Sequence, residues 1–266
     1  MTTSVWTIIA GTVCAGVGSV LLAAVLARAL LARFTQHLLS LSAGALLATA
    51  FLHLLPEAFE SETTPQRLFL TLLVGLVFFF LLDKAELWHH GHEHGHDHHH
   101  HHHDHDHDHG NASESGFTGS WAVLTGDSVH AFGDGVLVAA AFMTNFSLGV
   151  AASVAVLTHE IPHHMGDLAV LEKGLGQGRN ALLKLCLAGG VTVVGGLAGF
   201  FLIEGHEVWL PYLLVVASSS YIYVALADLI PQLQKRLSAS ATAMQIIWLF
   251  AGIAMVTAAV QWMHGH

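Results

Sequence analysis

Charge is scarce in this chain. Only 11% of its residues are Asp, Glu, Lys or Arg, whereas 53% are apolar, and the mean hydropathy is +0.59. Soluble domains carry roughly 25% charged residues, so that class is excluded. Basic residues are scarcer still: nine Lys and Arg stand against 19 Asp and Glu, a formal net charge of −10. Nucleic-acid binding needs clustered basic side chains to neutralise phosphates, and none is present. Cysteine is nearly absent. Cys14 and Cys186 each lie in an apolar run, form no disulfide framework or zinc ribbon, and are expected as small buried hydrophobes.

The apolar residues that are there fall into eight stretches: 4–27, 37–59, 67–88, 119–143, 147–171, 181–203, 208–231 and 243–263. Each is close to the ~20 residues that span the hydrocarbon core as a helix. They are too long for strands and lack the alternation of an outer-membrane barrel, and in lipid a helix satisfies its own backbone. The first run exceeds a signal peptide's apolar core, has no basic start and is followed at once by further spans, so it is kept as span one. The expected fold is an all-α polytopic membrane protein with eight transmembrane helices.

Lys and Arg set the orientation. Arg28, Arg33, Lys84, Lys173, Arg179, Lys184, Lys235 and Arg236 share one side on this topology, and Arg67 alone lies on the other. Both termini are therefore expected on the non-cytoplasmic side. The chain divides into helices 1–3 over 1–88, a His-rich cytoplasmic loop over 89–116, and helices 4–8 over 117–266. The plasma (inner) membrane is the expected location and an internal membrane the alternative.

The stretch 89–109, HHGHEHGHDHHHHHHDHDHDH, alternates histidine with acidic residues in mid-chain, unlike a purification tag. With almost no apolar side chains it is expected to be disordered. His89, His90, His92, His94, His96, His98, His105, His107 and His109 supply imidazoles beside carboxylates, a set that holds divalent metals weakly at several places. Buffering or sensing of metal is the expected use, and a solubilising linker the alternative.

Ionisable residues inside spans cost at least about 2.5–3.5 kcal/mol each at the bilayer centre unless paired or facing a cavity. Span four contains Asp127, His130 and Asp134 in GDSVHAFGDG. Span five contains His159, Glu160, His163, His164 and Asp167 in HEIPHHMGD. His130 and Asp134 are i,i+4, as are His159 and His163, so each pair projects from one helix face. Where the faces meet, three imidazoles and a carboxylate can converge on one ion. Glu160, one position round from His159 and on the face of His164, can build a neighbouring site. Pro162 removes an amide donor and frees the carbonyl of Thr158. Gly133, Gly135, Gly149 and Gly166 are expected to permit close helix approach.

The paired patterns HAFGDG and HEIPHHMGD resemble those of the ZIP family of divalent metal transporters, closest to its His-rich LIV-1 branch. The resemblance extends to eight spans, outside termini and a His-rich loop between spans three and four. It implies a metal site on helices 4 and 5 made of His130, Asp134, His159, Glu160 and His163, transport of Zn²⁺ with Fe²⁺ or Mn²⁺ as further cargo, and a homodimer. The metal is then substrate, with no cofactor and no catalysis. The sequence departs from the family at Ala131, where Asn is common, and at His164, where the His-rich branch has an acidic residue. His53, Glu57, Asp127, His164, Asp167 and Asp228 are candidates for the pathway or for support behind the ligands; polar groups reaching the membrane interface are the alternative.

Three other functions share parts of this pattern. His159-Glu160-Ile161-Pro162-His163 also satisfies H-E-x-x-H, the zinc clamp of metalloproteases, including site-two-type intramembrane proteases. Against that, a catalytic zinc keeps one position open, whereas the helix-four pair supplies a fourth ligand. A cation diffusion facilitator is expected to have six spans and a soluble C-terminal domain, where this sequence ends in a span. A metal sensor that binds without moving ions is the third.

Overall fold

The computed structural model describes residues 5–29, 35–91, 112–175, 178–234 and 238–264. These residues form helices and connecting turns, with no strand among them. In chain order, α1 covers 5–29 and is built of Val5–Val13, a π-helical turn Cys14–Gly18 and Ser19–Ala29. α2 covers 35–59, with a π-helical turn Thr49–Leu54 between Thr35–Ala48 and Leu55–Phe59. α3 is Pro65–Gly91, α4 Ala112–Thr144, α5 Phe146–Leu175 and α6 Gly178–Ile203. α7 covers 210–233, with Val224–Leu229 π-helical, and α8 is Ala239–His264.

The ends of these helices follow local chemistry. Pro65 opens α3, where its missing amide costs nothing. Beyond α6 the chain turns at Gly205, whose φ of 80° suits a residue without Cβ. Asn145 alone separates α4 from α5, and its side-chain oxygen accepts the Leu148 amide at 2.8 Å, capping α5. The two helices consequently fold back on each other as a tight hairpin.

Among the described residues, six helices are long and apolar enough to cross a membrane: Val5–Ala27, Gln36–Phe59, Pro65–Leu82, Arg179–Ile203, Glu207–Leu233 and Ala239–Trp262. α4 contributes a shorter apolar stretch, Ser128–Thr144. Large apolar side chains cover the outside, among them Leu73, Val77 and Phe78 on α3 and Ile247 and Phe250 on α8. A surface of that kind is matched to lipid.

Inside, α4 lies along α6, α2 along α8 and α3 along α7, while α5 packs against α1, α2, α4, α6 and α8. Small residues let backbones touch. A methyl on Gly135 of α4 would stand 2.0 Å from the Thr192 carbonyl oxygen of α6, and one on Gly195 of α6 would stand 2.1 Å from the Phe132 carbonyl oxygen of α4. Gly149 meets the Phe142 ring in the same way, but a Cβ on Gly133 or Gly166 would meet nothing within 4 Å. Those two glycines do not serve close approach. Cys14 is also unlike the expectation: it is exposed on the apolar outside, where a thiol needs no partner, and Cys186 is half-buried.

Candidate metal centre

The α4–α5 hairpin sets the candidate ligands against each other. His130 and Asp134 lie one turn apart on α4, and His159 and Glu160 face them from α5. His159 Nε2 is 3.3 Å from Asp134 Oδ2 and 3.0 Å from Glu160 Oε1. His130 Nε2 is 3.8 Å from Asp134 Oδ2, 3.4 Å from Glu160 Oε1 and 3.4 Å from His159 Nε2. One atom from each residue therefore lies within 4.8 Å of every other. Ligands bonded to zinc at about 2.0–2.1 Å in a tetrahedron are about 3.3 Å apart, so the spacing is that of a four-donor cage.

Burial sharpens this. Asp134, His159 and Glu160 are 1–3% exposed, while the His130 side chain is 30% exposed. Two carboxylates this far from water are costly without a compensating positive charge. His159 Nδ1 donates to the Ala155 carbonyl at 3.1 Å, which leaves the Nε2 lone pair directed at the cluster. That is the tautomer a metal ligand needs.

His163 stands at the rim. It is exposed, and its ring lies nearly parallel to that of His130, 6.2 Å between centroids with an interplanar angle of 23°. The four-atom cluster does not include it. Glu160, expected to serve a neighbouring site, instead reaches the atoms around His159 with one oxygen and His164 with the other, Oε2 to Nε2 at 3.1 Å. The clamp of two histidines one turn apart that H-E-x-x-H describes is thus not the arrangement around Glu160.

Further residues position the helices. Thr158, whose carbonyl Pro162 frees, is met by α2: the Ser42 hydroxyl donates to Thr158 O and is also within reach of Leu38 O. Asn145 donates to Glu57 Oε1 at 3.3 Å, tying α2 to the hairpin turn. Half-buried His53 lies in the π-helical turn of α2, and half-buried Asp167 one turn beyond His163 on α5; neither belongs to the cluster. Asp127 is on α4 and Asp228 in the π-helical turn of α7. His89 and His90 fall on the last turn of α3, while His92, His94, His96, His98, His105, His107 and His109 lie outside the described residues. Ser19, Ser42 and Asn145 are partners of this region that no sequence motif announces.

The family model described as ZIP zinc transporter matches residues 85–259, which contain the whole cluster. The chain belongs to the ZIP zinc transporter family. The expected membership, His-rich LIV-1 branch included, is borne out. Zinc transporter ZIP13 of Pongo abelii is 30% identical over 241 residues, 83% of this chain and 65% of that protein. Zinc transporter ZIP4 of Homo sapiens is 40% identical over 116 residues, 43% of this chain and 18% of the relative. Zinc transporter foi of Drosophila melanogaster is 32% identical over 138 residues, 52% and 19% respectively. This ZIP chain covers less than two thirds of the length of each. Its two departures from the family pattern flank the cluster: Ala131 is buried on α4 beside His130, and His164 is wholly buried on α5.

Proposed function

We propose that this chain carries divalent metal ions, zinc first and Fe²⁺ or Mn²⁺ after it, across a membrane toward the cytoplasm. The ion is bound by His130, Asp134, His159 and Glu160, with His163 as the ligand it meets next. The observation that carries this is a buried four-donor cluster inside a bundle with an apolar exterior. An N2O2 set suits zinc and accepts iron or manganese, and the positive ion offsets the buried carboxylates. The family membership supports the same cargo.

The topology proposed is eight spans with both termini on the non-cytoplasmic side and residues 89–116 as a cytoplasmic His-rich loop. α4 and α5 run antiparallel, so His130, one turn before Asp134, and His163, one turn after His159, share the end of the hairpin away from Asn145. On this topology that end faces the loop. His130 and His163 are also the two imidazoles of the group that are not buried, which supports release on the cytoplasmic side. His53 and Glu57 are proposed on the entry side, Asp228 on the exit side, and Asp127 and Asp167 behind the ligands. The loop buffers released metal. The plasma membrane and a homodimer complete the proposal. Transport requires that the ion be held less tightly than in a closed structural site and that the path open alternately to each side.

Zinc entry into proteoliposomes holding an internal zinc-sensitive dye tests this. The comparison is between the intact chain, His159→Ala, Asp134→Ala and a deletion of residues 92–109. Saturable entry lost in both point variants and kept in the deletion is the expected result. Undiminished entry in both point variants would remove the cluster from the pathway.

A further inference from the structure

We propose that Ser19 and His164 are positioning residues that hold Glu160 to one-oxygen coordination, and so bias the site toward zinc over ions such as manganese that take more ligands. This rests on the transport site proposed above and concerns how one of its ligands is aimed.

The two oxygens of Glu160 point to different partners. Oε1 lies among the cluster atoms, 3.0 Å from His159 Nε2 and 3.4 Å from His130 Nε2. Oε2 lies 3.1 Å from His164 Nε2. That contact is at ion-pair distance without hydrogen-bond geometry; since a carboxylate only accepts, a neutral ring suits it with the proton on Nε2 and Nδ1 as the acceptor. The atom facing Nδ1 is Ser19 Oγ at 3.1 Å, an O–H donor. The Gly16 carbonyl accepts the Ser19 amide and has a second lone pair within reach of that hydroxyl, so the hydroxyl proton lies between Gly16 O and His164 Nδ1.

Ser19 and His164 are both wholly buried. The line of close polar contacts Ser19–His164–Glu160 is therefore sheltered from competing water. Ser19 is the first residue after the π-helical turn Cys14–Gly18, so the irregular part of α1 is what presents the hydroxyl. On this assignment His159 and His164 have opposite tautomers: the first points a lone pair at the cluster and the second carries its N–H on the side of the ligand.

With Oε2 engaged, Glu160 offers the ion Oε1 alone. Four single-atom donors then satisfy tetrahedral zinc, whereas manganese favours six oxygen-rich positions. Releasing Oε2 lets Glu160 swing to bidentate binding and raises the coordination number.

Cobalt(II) bound to the purified full-length chain reports this through its d–d absorption, which is stronger for four-coordinate than for higher-coordinate ions. Subtracting the spectrum of Asp134→Asn removes cobalt held by the His-rich segment. The expected difference spectrum of the intact chain is four-coordinate. In Ser19→Ala, and in His164→Met, which keeps volume without a donor, the bands weaken toward higher coordination. Zinc affinity then falls by roughly 10–100-fold, the usual effect of losing a partner behind a ligand, and the preference for zinc over manganese in competition narrows. Ser19→Thr keeps the hydroxyl and restores the intact behaviour. If Asp134→Asn removes the bands but Ser19→Ala and His164→Met keep both the intact spectrum and the zinc preference, the positioning role is overturned. An Asp134→Asn spectrum identical to the intact chain's would instead overturn the site itself.

Discussion

The Ser42 hydroxyl donates to the carbonyl of Thr158, the acceptor that Pro162 leaves without an amide four residues on. α2 thereby completes a gap in α5 beside the metal cluster. Ser42→Ala strands a buried carbonyl, at a cost of roughly 1–3 kcal/mol. In a Pro162→Ala background the restored amide of residue 162 can take that carbonyl, and the same serine change costs less. A double-mutant cycle by thermal unfolding in detergent is expected to show a coupling of about 0.5 kcal/mol or more; additivity within about 0.3 kcal/mol would separate the two residues.

The imidazoles of α5 are expected to differ in weight. His159 is buried and central to the cluster, while His163 is exposed at its rim. Zinc affinity at the site should fall well beyond the roughly 10–100-fold typical of a supporting residue in His159→Ala, and stay within that range in His163→Ala. Calorimetric titration of both variants in a chain lacking residues 92–109 decides it, and equal losses would give His163 the standing of a full ligand.

Two glycines of α4 two residues apart should respond in opposite ways to alanine. Gly135→Ala forces α4 and α6 apart, because its methyl would meet the Thr192 carbonyl at 2.0 Å, and overpacking of this kind costs about 1–3 kcal/mol. Gly133→Ala meets nothing within 4 Å and gains the roughly 0.5–1 kcal/mol by which alanine exceeds glycine in a helix. Opposite shifts in melting temperature are the expected observation.

Asn145 both caps α5 and holds Glu57. Asn145→Ala should cost about 0.5–2 kcal/mol, the usual loss for a cap, and Asn145→Gly only a few tenths of a kcal/mol. Asn145→Asp keeps the cap but sets a carboxylate against Glu57, so its stability should recover when Glu57→Gln is added. No recovery would mean that the contact with Glu57 does not bear on stability.

Much of the site was legible because helical spacing is local. His130 with Asp134, and Glu160 with His164, follow from i,i+4 pairs in two short motifs. Glu160 was placed beside a second position because it is one residue round α5 from His159, and neighbours on a helix do not face each other. Both nevertheless reach one point, because α4 crosses there and the glutamate side chain is long enough to bend back to it. Serines gave no warning. Ser40, Ser153 and Ser218 bond to carbonyls of their own helices, whereas Ser19 and Ser42 reach residues more than a hundred positions away. Nothing in an apolar span distinguishes the two kinds before the helices are packed. The family membership is carried by the two motifs in order, together with the eight apolar runs and the His-rich stretch between the third and fourth.

The three π-helical turns, in α1, α2 and α7, each hold one residue more than α-helical winding requires. One residue corresponds to roughly 100° of rotation about a helix axis. Rewinding Cys14–Gly18 as regular helix with every residue kept would therefore turn residues 5–13 by that angle against Ser19 without severing the rod, whereas deleting one residue there would leave their facing unchanged. The surplus residues sit next to Ser19, around His53 and around Asp228. At those three points the winding works as a dial: closing the π turn at constant length changes which side chains look inward while the helix remains whole.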